Sequence, residues 1–488
     1  MNPLKKLLGQ TAVYGLSSIV GRLLNYLLVP LYTRYFSTAE YGEVTLLYAY
    51  VAFILVLLTY GMETAFFRFS QSHPNKSTVY STSLISLSLS SLLFVGMMLY
   101  YSQAIAEALS FSANPEYVEY FALILGLDTL SAITFAKLRE QNRAVRFATI
   151  RLLNIFINIS LNLFFIVYCP LAISNNYVGV EFIQRIYLEH IGIGYIFISN
   201  LVASALTLLF FVPEMIKSTW RFDTALWRKM MIYALPLMFA GLAGITNETI
   251  DRILLKHLLP SEVSASEIGI YSAFYKLSII MTLFVQTFRF AAEPFFFAQE
   301  KEANAKAVYA LVMKYFMIVT AFIFLLVTIY YDLFKQFLGS EFHDERGLII
   351  VPILLLANLF LGIYYNLSVW YKLTEKTVFG AYMSLMGALI TLFLNLYLIP
   401  ILGFVGSAWA TLCCYAIMAL CSYLLGQKYY PISYPIGRIG VYLLAMLGLF
   451  FLSKYYSLGL WYNSLYLVLF VALSLVLESS TKKLISKP

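Results

Sequence analysis

Nine of the ionisable side chains that lie inside strongly hydrophobic segments of the chain are candidates for a functional site. A charge at the centre of a membrane-spanning helix costs about 2.5 to 3.5 kcal/mol on insertion scales. Such groups are therefore expected to face a water-filled cavity or each other. Cations there suit an anionic ligand, and carboxylates suit a proton, a metal cation or a cationic ligand. The nine residues are Arg22, Glu63, Asp128, Glu248, Asp251, Arg252, Lys276, Arg289 and Glu293.

Spacing predicts two local ion pairs among these nine residues. Glu248 and Arg252 are four residues apart, and so are Arg289 and Glu293. Residues at this spacing lie on the same face of a helix, where opposite charges attract. Both pairs therefore have a purely structural explanation beside a functional one. Pro294 next to Glu293 is expected to kink or end its helix.

Arg22, Lys276 and Asp128 have no local partner of opposite charge. Asn25 follows Arg22 by three residues, which places a cation and an amide on one helical face. Asp128 is the first candidate for a proton or sodium site, with a structural pair to Arg22 or Lys276 as the alternative. The other membrane carboxylates are further candidates for ion coupling: Glu63, Glu248, Asp251 and Glu293.

Asparagines follow one face of the predicted fifth span. Asn154, Asn158 and Asn162 are spaced at four residues and lie on one stripe of a helix. Hydrogen bonds between helices explain such a stripe, and contact with sugar hydroxyls is the alternative.

The composition predicts an all-α integral membrane protein. Of 488 residues, 61% are hydrophobic and 12% are charged, and the mean hydropathy is +0.79. A soluble chain has about a quarter charged residues. At about 20 residues per crossing, the length holds about fourteen helices and leaves no room for a large soluble catalytic domain. The predicted spans are Thr11–Tyr32, Val44–Phe67, Tyr80–Tyr101, Tyr117–Ala136, Phe147–Val167, Ile191–Val212, Met230–Leu255, Ile268–Phe297, Val308–Tyr331, Gly347–Tyr371, Thr377–Ile399, Phe404–Leu425, Ile436–Phe451 and Leu460–Leu477.

Basic residues predict the orientation of these spans. The formal net charge of +8 is read as the excess of Lys and Arg in cytoplasmic loops and not as a nucleic-acid surface. With both termini in the cytoplasm, the connection between spans four and five and the start of span five carry the basic residues Lys137, Arg139, Arg143, Arg146 and Arg151. The N-terminal segment is expected to stay as the first helix. Four cysteines and four histidines show no disulfide framework and no metal-binding spacing, so no metal or other cofactor is expected.

The chain contains an internal repeat. Ser37-Thr38-Ala39-Glu40-Tyr41-Gly42 recurs as Ser264-Ala265-Ser266-Glu267-Ile268-Gly269, and the residue numbers of the two copies differ by 227. Leu161-Asn162-Leu163 recurs as Leu394-Asn395-Leu396, with a difference of 233. Ser-x-x-Glu is a helix-capping box, which accounts for the local chemistry of the first motif in both copies. The nearly common offset favours duplication.

The repeat predicts the domain organisation. We predict a lobe at 1–217 (spans one to six), a second at 218–428 (spans seven to twelve) and two further helices with a tail at 429–488. The lobes would be related by a pseudo-two-fold axis along the membrane normal and would enclose a cavity.

Several motifs resemble the bacterial polysaccharide flippase family of the multidrug, oligosaccharidyl-lipid and polysaccharide exporter superfamily. They are Arg22 with Pro30-Leu31-Tyr32-Thr33-Arg34, Glu40-Tyr41-Gly42, Leu138-Arg139-Glu140-Gln141-Asn142-Arg143, and Asp251-Arg252 followed by Glu267-Ile268-Gly269-Ile270-Tyr271-Ser272. The resemblance covers essentially the whole chain. It implies a transporter and not an enzyme, with two six-helix lobes, about fourteen helices and alternating access.

The resemblance also implies the cargo and its location. Undecaprenyl-pyrophosphate-linked oligosaccharide would cross from the cytoplasmic to the outer leaflet of the bacterial inner membrane, for O-antigen-type surface polysaccharide. Arg22, Arg252 and Lys276 would attract the pyrophosphate, while amides would hydrogen-bond the sugars: Asn25, Asn158 and Asn162. A proton or sodium ion and the polysaccharide polymerase machinery are further candidate partners.

Two other functions fit the sequence. A cation-coupled drug or metabolite exporter of the same superfamily would share the architecture, but cationic substrates would favour carboxylates in the cavity. An integral-membrane glycosyltransferase or polymerase would need carboxylates or metal ligands on a substantial loop, and the outer loops here are short.

Overall fold

The protein is an all-helical membrane protein, described here from a computed structural model over residues 19–109, 114–456 and 459–485. The first part of the predicted first span, residues 11–18, lies outside the described residues. Twelve of the described helices are long and apolar enough to cross a membrane, and they match predicted spans two to thirteen except at breaks and ends. The fourteenth predicted span also forms a helix, with a shorter apolar stretch at Asn463–Ser479.

The helices divide between two compact units. The first unit comprises the described residues up to Phe36 together with Val44–Ile245, and the second comprises Ser37–Glu43 together with the described residues from Thr246 onward. The division falls inside one long helix, Thr224–Leu258, whereas the predicted lobe boundary lies before it. The predicted domain boundaries at 217 and 428 remain predictions.

The helices of the first half are α1 (19–26), α2 (Val29–Tyr35), α3 (Thr38–Thr59), α4 (Met62–Ser72), α5 (Lys76–Tyr100), α6 (Ser102–Ala108), α7 (Glu116–Glu140), α8 (Ala144–Leu163), α9 (Cys169–Ser174), α10 (Val180–Ile186) and α11 (Gly194–Ile216). A π-helical turn, Phe164–Tyr168, joins α8 to α9. The remaining helices are α12 (Thr224–Leu258), α13 (Ser261–Leu277), α14 (Ile279–Gln299), α15 (Ala305–Ile329), α16 (Tyr331–Lys335), α17 (Gly347–Leu367), α18 (Val369–Leu373), α19 (Val378–Leu402), α20 (Phe404–Tyr429), α21 (Ile436–Tyr455) and α22 (Leu460–Ile485).

The second span of each half is broken, which the sequence analysis did not predict. In the first half α3 ends before Tyr60 and Gly61, and both residues have positive φ values, 33° and 72°. A Cβ on Gly61 would also lie 2.7 Å from the Ala234 carbonyl oxygen, so glycine satisfies two requirements there. In the second half α13 ends before Ser278, whose hydroxyl donates to the Tyr275 carbonyl.

These breaks correct two predicted spans. The predicted continuous helices Val44–Phe67 and Ile268–Phe297 were wrong at these points, because positive backbone angles and a side-chain hydrogen bond interrupt them. The predicted effect of Pro294 was also wrong in part, because α14 continues through it.

Buried aromatic and aliphatic side chains hold the first unit together. Phe66 of α4, Tyr80 and Leu84 of α5, and Met230 of α12 belong to one buried cluster. The Tyr80 hydroxyl inside this packing is satisfied, since it lies 3.0 Å from that of Thr134. The cluster fixes α4 and α7, which carry charged residues of the candidate site.

The two copies of the repeated motif meet inside the second unit. A Cβ on Gly42 would lie 1.8 Å from the Ala265 carbonyl oxygen, and a Cβ on Gly269 would lie 1.8 Å from the Thr38 carbonyl oxygen. The hydroxyls of Thr38 and Ser266 are 2.7 Å apart. The two helices thus approach each other at the repeated glycines, in the manner of small-residue packing in membranes.

The capping-box explanation of the motif holds in one copy only. In the first copy the Ser37 backbone NH and hydroxyl donate to Glu40, both at 2.8 Å. In the second copy α13 begins earlier, at Ser261, so Glu267 lies inside the helix and accepts two hydrogen bonds of 2.8 Å from Arg346. Arg346 also binds Asp344, and its hydrogen bonds hold the pKa of that carboxyl below its usual value.

A methyl group at the glycine contact should destabilise the protein. Gly269→Ala places a carbon against backbone atoms that cannot rotate away, and we expect a loss of about 1 to 3 kcal/mol in the free energy of unfolding. The matched control is Gly244→Ala in α12, where nothing lies within 4 Å of the added carbon. Thermal unfolding in detergent should show a lower Tm for the first variant and an unchanged or higher Tm for the control. Equal Tm values would contradict the close approach.

Candidate functional site

A cavity of about 630 Å³ lies inside the first unit and contains five charged side chains. Three are arginines and two are carboxylates: Arg22, Arg139, Arg151, Glu63 and Asp128. With all five ionised, one positive charge remains in excess. Polar uncharged side chains also line the walls, among them Asn25, Thr59, Ser131, Asn154 and Thr207. The cavity is therefore suited to water and to a polar, anionic ligand.

Helical periodicity explains how α7 and α8 bring these groups together. On α7, Asp128, Ser131, Phe135 and Arg139 follow one another at steps of three or four residues and form one stripe along the cavity. At 1.5 Å per residue, this stripe is about 16 Å long. On α8, Phe147, Arg151 and Asn154 form the corresponding stripe.

The two carboxylates differ in their partners. Glu63, in the first turn of α4, accepts a hydrogen bond of 2.7 Å from Arg139. Asp128 accepts a hydrogen bond of 2.7 Å from the Ser204 hydroxyl of α11, and the ion pairs of the described residues do not include it. The predicted pairing of Asp128 with Arg22 or Lys276 is therefore not present.

Two of the three arginines have no protein partner in the described parts of the chain. Neither Arg22 nor Arg151 makes an ion pair or a side-chain hydrogen bond there. Arg151 nevertheless lies within the electrostatic influence of Arg22, Arg139, Glu63 and Asp128. Two guanidinium groups, each with five N–H donors, thus face the cavity ready for a ligand or for water.

The predicted amides have different surroundings. Asn25 lines the cavity beside Arg22, as its spacing predicts. Asn162 is buried, accepts a hydrogen bond of 3.0 Å from Tyr32 and donates to the backbone carbonyl of Asn158. Asn162 thus connects α2 to α8. Neither Asn162 nor Asn158 lines the cavity. Asn154, which was not selected as a binding residue, does line it and donates to Thr207.

The remaining predicted residues belong to the second unit, and most are engaged in ion pairs. Arg252 donates to Asp251 at 2.8 Å and to the backbone carbonyl of Glu248 at 2.8 Å. Its ion pair in the structure is thus with its neighbour Asp251, which also accepts a hydrogen bond of 2.6 Å from Tyr271. The predicted Glu248–Arg252 contact involves a backbone oxygen.

The predicted pair at Arg289 and Glu293 is present, with 3.3 Å between nitrogen and oxygen. Glu293 also binds Lys372 of α18. Lys276 lies in the last turn of α13 and has no ion pair within the described residues. None of the predicted residues of the second unit lines the cavity described above.

Sequence reasoning missed Arg139 and Arg151 as site residues because it counted both with the basic residues at the cytoplasmic side, Arg139 in the connection and Arg151 at the start of the fifth span. The structure shortens that connection to residues 141–143, since α7 continues to Glu140 and α8 starts at Ala144. A signal was available for Arg151, which is three residues before Asn154 and extends the asparagine stripe. Within the described residues no group of three or more His, Cys, Asp or Glu side chains is arranged to hold a metal ion.

If water fills the cavity, a cysteine introduced into its wall should react with a water-soluble thiol reagent. In a variant with the four native cysteines replaced, Ala132→Cys faces the cavity, whereas Ala122→Cys lies on the same helix at a fully buried position. A charged, water-soluble thiol reagent should modify the first at least about tenfold faster, because thiolate formation needs water. Mass spectrometry of the intact protein measures both rates. Equal rates would contradict a hydrated cavity.

Comparison with known proteins places this architecture among membrane transporters. A structure titled "Lipid II flippase MurJ, inward closed conformation" matches with a TM-score of 0.70 and 15% identity, covering 97% of this chain and 99% of that one. An inward-facing multidrug resistance MATE family transporter of the MOP superfamily matches with a TM-score of 0.63 and 12% identity, covering 88% and 95%. At these identities the likeness concerns the fold.

A search of curated proteins gave no match. The sequence model described as "Polysaccharide biosynthesis protein" matches residues 7–300, which is more than half of the chain. The chain therefore belongs to the polysaccharide biosynthesis protein family.

Proposed function

We propose that this protein is a flippase for undecaprenyl-pyrophosphate-linked oligosaccharide. It moves this substrate from the cytoplasmic to the outer leaflet of the bacterial inner membrane by alternating access, for cell-surface polysaccharide of the O-antigen type, and both of its termini are cytoplasmic. Family membership supports a role in polysaccharide biosynthesis, and the likeness to a lipid II flippase supports a lipid-linked cargo.

The observation that carries the proposal is the cavity of the first unit, whose charged side chains are three arginines and two carboxylates. A diphosphate cannot cross about 30 Å of hydrocarbon unaided, because burial of an unpaired charge is prohibitively costly. Arg22 and Arg151 have free donors facing a cavity of about 630 Å³. Guanidinium groups bind phosphate oxygens in a bidentate manner. We assign the diphosphate to these two arginines and the neighbouring sugars to Asn25 and Asn154.

Three of the further residues that the sequence assigned to the substrate have protein partners instead. They are Arg252, Asn158 and Asn162. Arg252 is neutralised by Asp251, and Asn162 is occupied by Tyr32 and Asn158. Lys276 has no ion pair in the described structure and remains a proposed cation for the substrate, but outside the cavity to which the diphosphate is assigned.

The alternative function is a cation-coupled exporter of drugs or metabolites, which the multidrug transporter neighbours support. A cationic substrate would require an excess of carboxylates. The cavity instead has three arginines against two carboxylates. The second alternative, a membrane glycosyltransferase or polymerase, has no support among these neighbours, whose titles describe a flippase and transporters.

Among the five predicted carboxylates, we assign the binding of the coupling ion to Asp128. It lines the cavity and has a hydroxyl partner in place of a cation, so it is able to exchange a proton or a sodium ion. Glu63, Asp251 and Glu293 are each held by a cation. Glu248 does not line the cavity. Polymerase machinery remains a proposed partner.

Loss of either free arginine should strongly slow the translocation of the lipid-linked substrate. In proteoliposomes with labelled lipid-linked oligosaccharide, we expect Arg22→Ala and Arg151→Ala each to lower translocation at least about tenfold, because each removes a charge-assisted bond worth about 1.5 to 3 kcal/mol. Arg185→Ala, on exposed α10 outside the cavity, is the control and should keep the wild-type rate. Normal translocation by both cavity variants, at normal protein abundance, would remove the diphosphate site from the mechanism.

The coupling role of Asp128 has a separate test. The same proteoliposomes are assayed with and without imposed proton and sodium gradients. For wild type, one of the two gradients should accelerate translocation, and Asp128→Asn should lose that acceleration because an amide does not ionise. A variant that still responds to the gradient would exclude Asp128, and a wild type that responds to neither would exclude coupling.

A further inference from the structure

Each half of the chain contains an ion pair that links its second span to its fourth. In the first half Glu63 lies in the first turn after the break in the second span and binds Arg139 near the end of the fourth. In the second half Glu293 lies near the end of α14, the helix that follows the break in the eighth span, and binds Lys372 in the short helix α18 that ends the tenth. In both, the acid is on the broken span.

The spacing identifies the two pairs as copies of one feature. The residue numbers of Glu63 and Glu293 differ by 230, and those of Arg139 and Lys372 differ by 233. The repeated sequence motifs have offsets of 227 and 233. The offsets of the acids and of the cations, which lie on different helices, thus both fall within the range given by the repeated motifs.

The surroundings of the two pairs differ in a way that concerns ligand binding. Glu63 and Arg139 line the cavity. Glu293 and Lys372 do not, and Glu293 has a second cation, Arg289. The pair in the first half is thus the copy that a ligand in this cavity contacts.

Arg139 has binding capacity that Glu63 does not use. Its terminal nitrogen Nη2 donates to Glu63 at 2.7 Å, but its buried Nε has no hydrogen-bond partner in the described structure. The guanidinium carbon lies 5.0 Å from the centre of the Phe67 ring and 5.9 Å from that of Phe147. The aromatic rings hold the planar group, and the edge formed by Nε and Nη2 is the one that matches two phosphate oxygens.

Building on the proposed function, we propose that Glu63 is an internal counter-anion that occupies Arg139 while the cavity is empty. The diphosphate held by Arg22 and Arg151 displaces Glu63 and binds Arg139 as a third cation. The incoming group forms two hydrogen bonds with Nε and Nη2 where the carboxylate formed one. The exchange also breaks the Glu63–Arg139 link between α4 and α7. Glu63 is thus a specificity residue, because a ligand with one weak negative charge does not outcompete it.

The experiment measures binding of farnesyl diphosphate to the purified full-length protein by isothermal titration calorimetry. Glu63→Gln removes the competing charge and should lower Kd by about threefold or more, which is the effect expected from loss of a partly exposed ion pair. Arg139→Gln should raise Kd. The matched control is Glu293→Gln, which removes the duplicated acid outside the cavity and should leave Kd unchanged.

A second variant distinguishes an effect on ligand binding from an effect of Glu63→Gln on folding. Glu63→Asp keeps the charge but withdraws it by one methylene, and its Kd should fall between the wild-type and Glu63→Gln values. A pair that only stabilises the fold would instead lower Tm in both variants and leave Kd unchanged or raised, which would overturn the counter-anion role. Absence of binding to the wild type would overturn the proposed function itself, and with it the inference.

Discussion

A charged side chain in the hydrocarbon region of a bilayer needs an ionic partner or water, because the bilayer itself offers neither. This constraint governs the ionisable residues inside the apolar segments of this chain. Each one either shapes the packing of helices or marks a hydrated space. Which of the two applies cannot be read from residue type alone, since both solutions use the same arginines and carboxylates.

The two units satisfy the constraint differently. In the second unit most buried charges are neutralised by close neighbours, as with Asp251 and Arg252 or Glu293 and Lys372. The additional helices α21 and α22 are attached in the same way, since Glu478 binds Lys314 of α15 and accepts a hydrogen bond of 2.8 Å from Tyr442. In the first unit Arg22 and Arg151 face a cavity instead. Because of this difference, we place the proposed diphosphate site in the first unit.

The sequence predicted the fold class and the spans well, because apolar length and composition determine whether a helix crosses a membrane. It predicted the site only in part. Arg22, Asn25, Glu63 and Asp128 do line the cavity. Arg139 was missed because the fourth span was predicted to end before the first basic residue, whereas α7 continues to Glu140. Arg151 was missed because it was grouped with the cytoplasmic basic residues although it lies inside the predicted fifth span. The break at Gly61 and the ion pair that replaces the cap at Glu267 depend on contacts between distant segments, which local patterns do not contain. The break at Ser278 has only a local hydrogen bond to Tyr275, and the apolar pattern continues across it.

The central claim is that the free arginines of the first unit form a diphosphate site. It is tested most directly by an experimental structure of the full-length protein with farnesyl diphosphate bound in lipid nanodiscs. The account predicts density for the diphosphate inside the cavity, within hydrogen-bond distance of the guanidinium groups of Arg22 and Arg151. Diphosphate density elsewhere, or an empty cavity at saturating ligand, would contradict it.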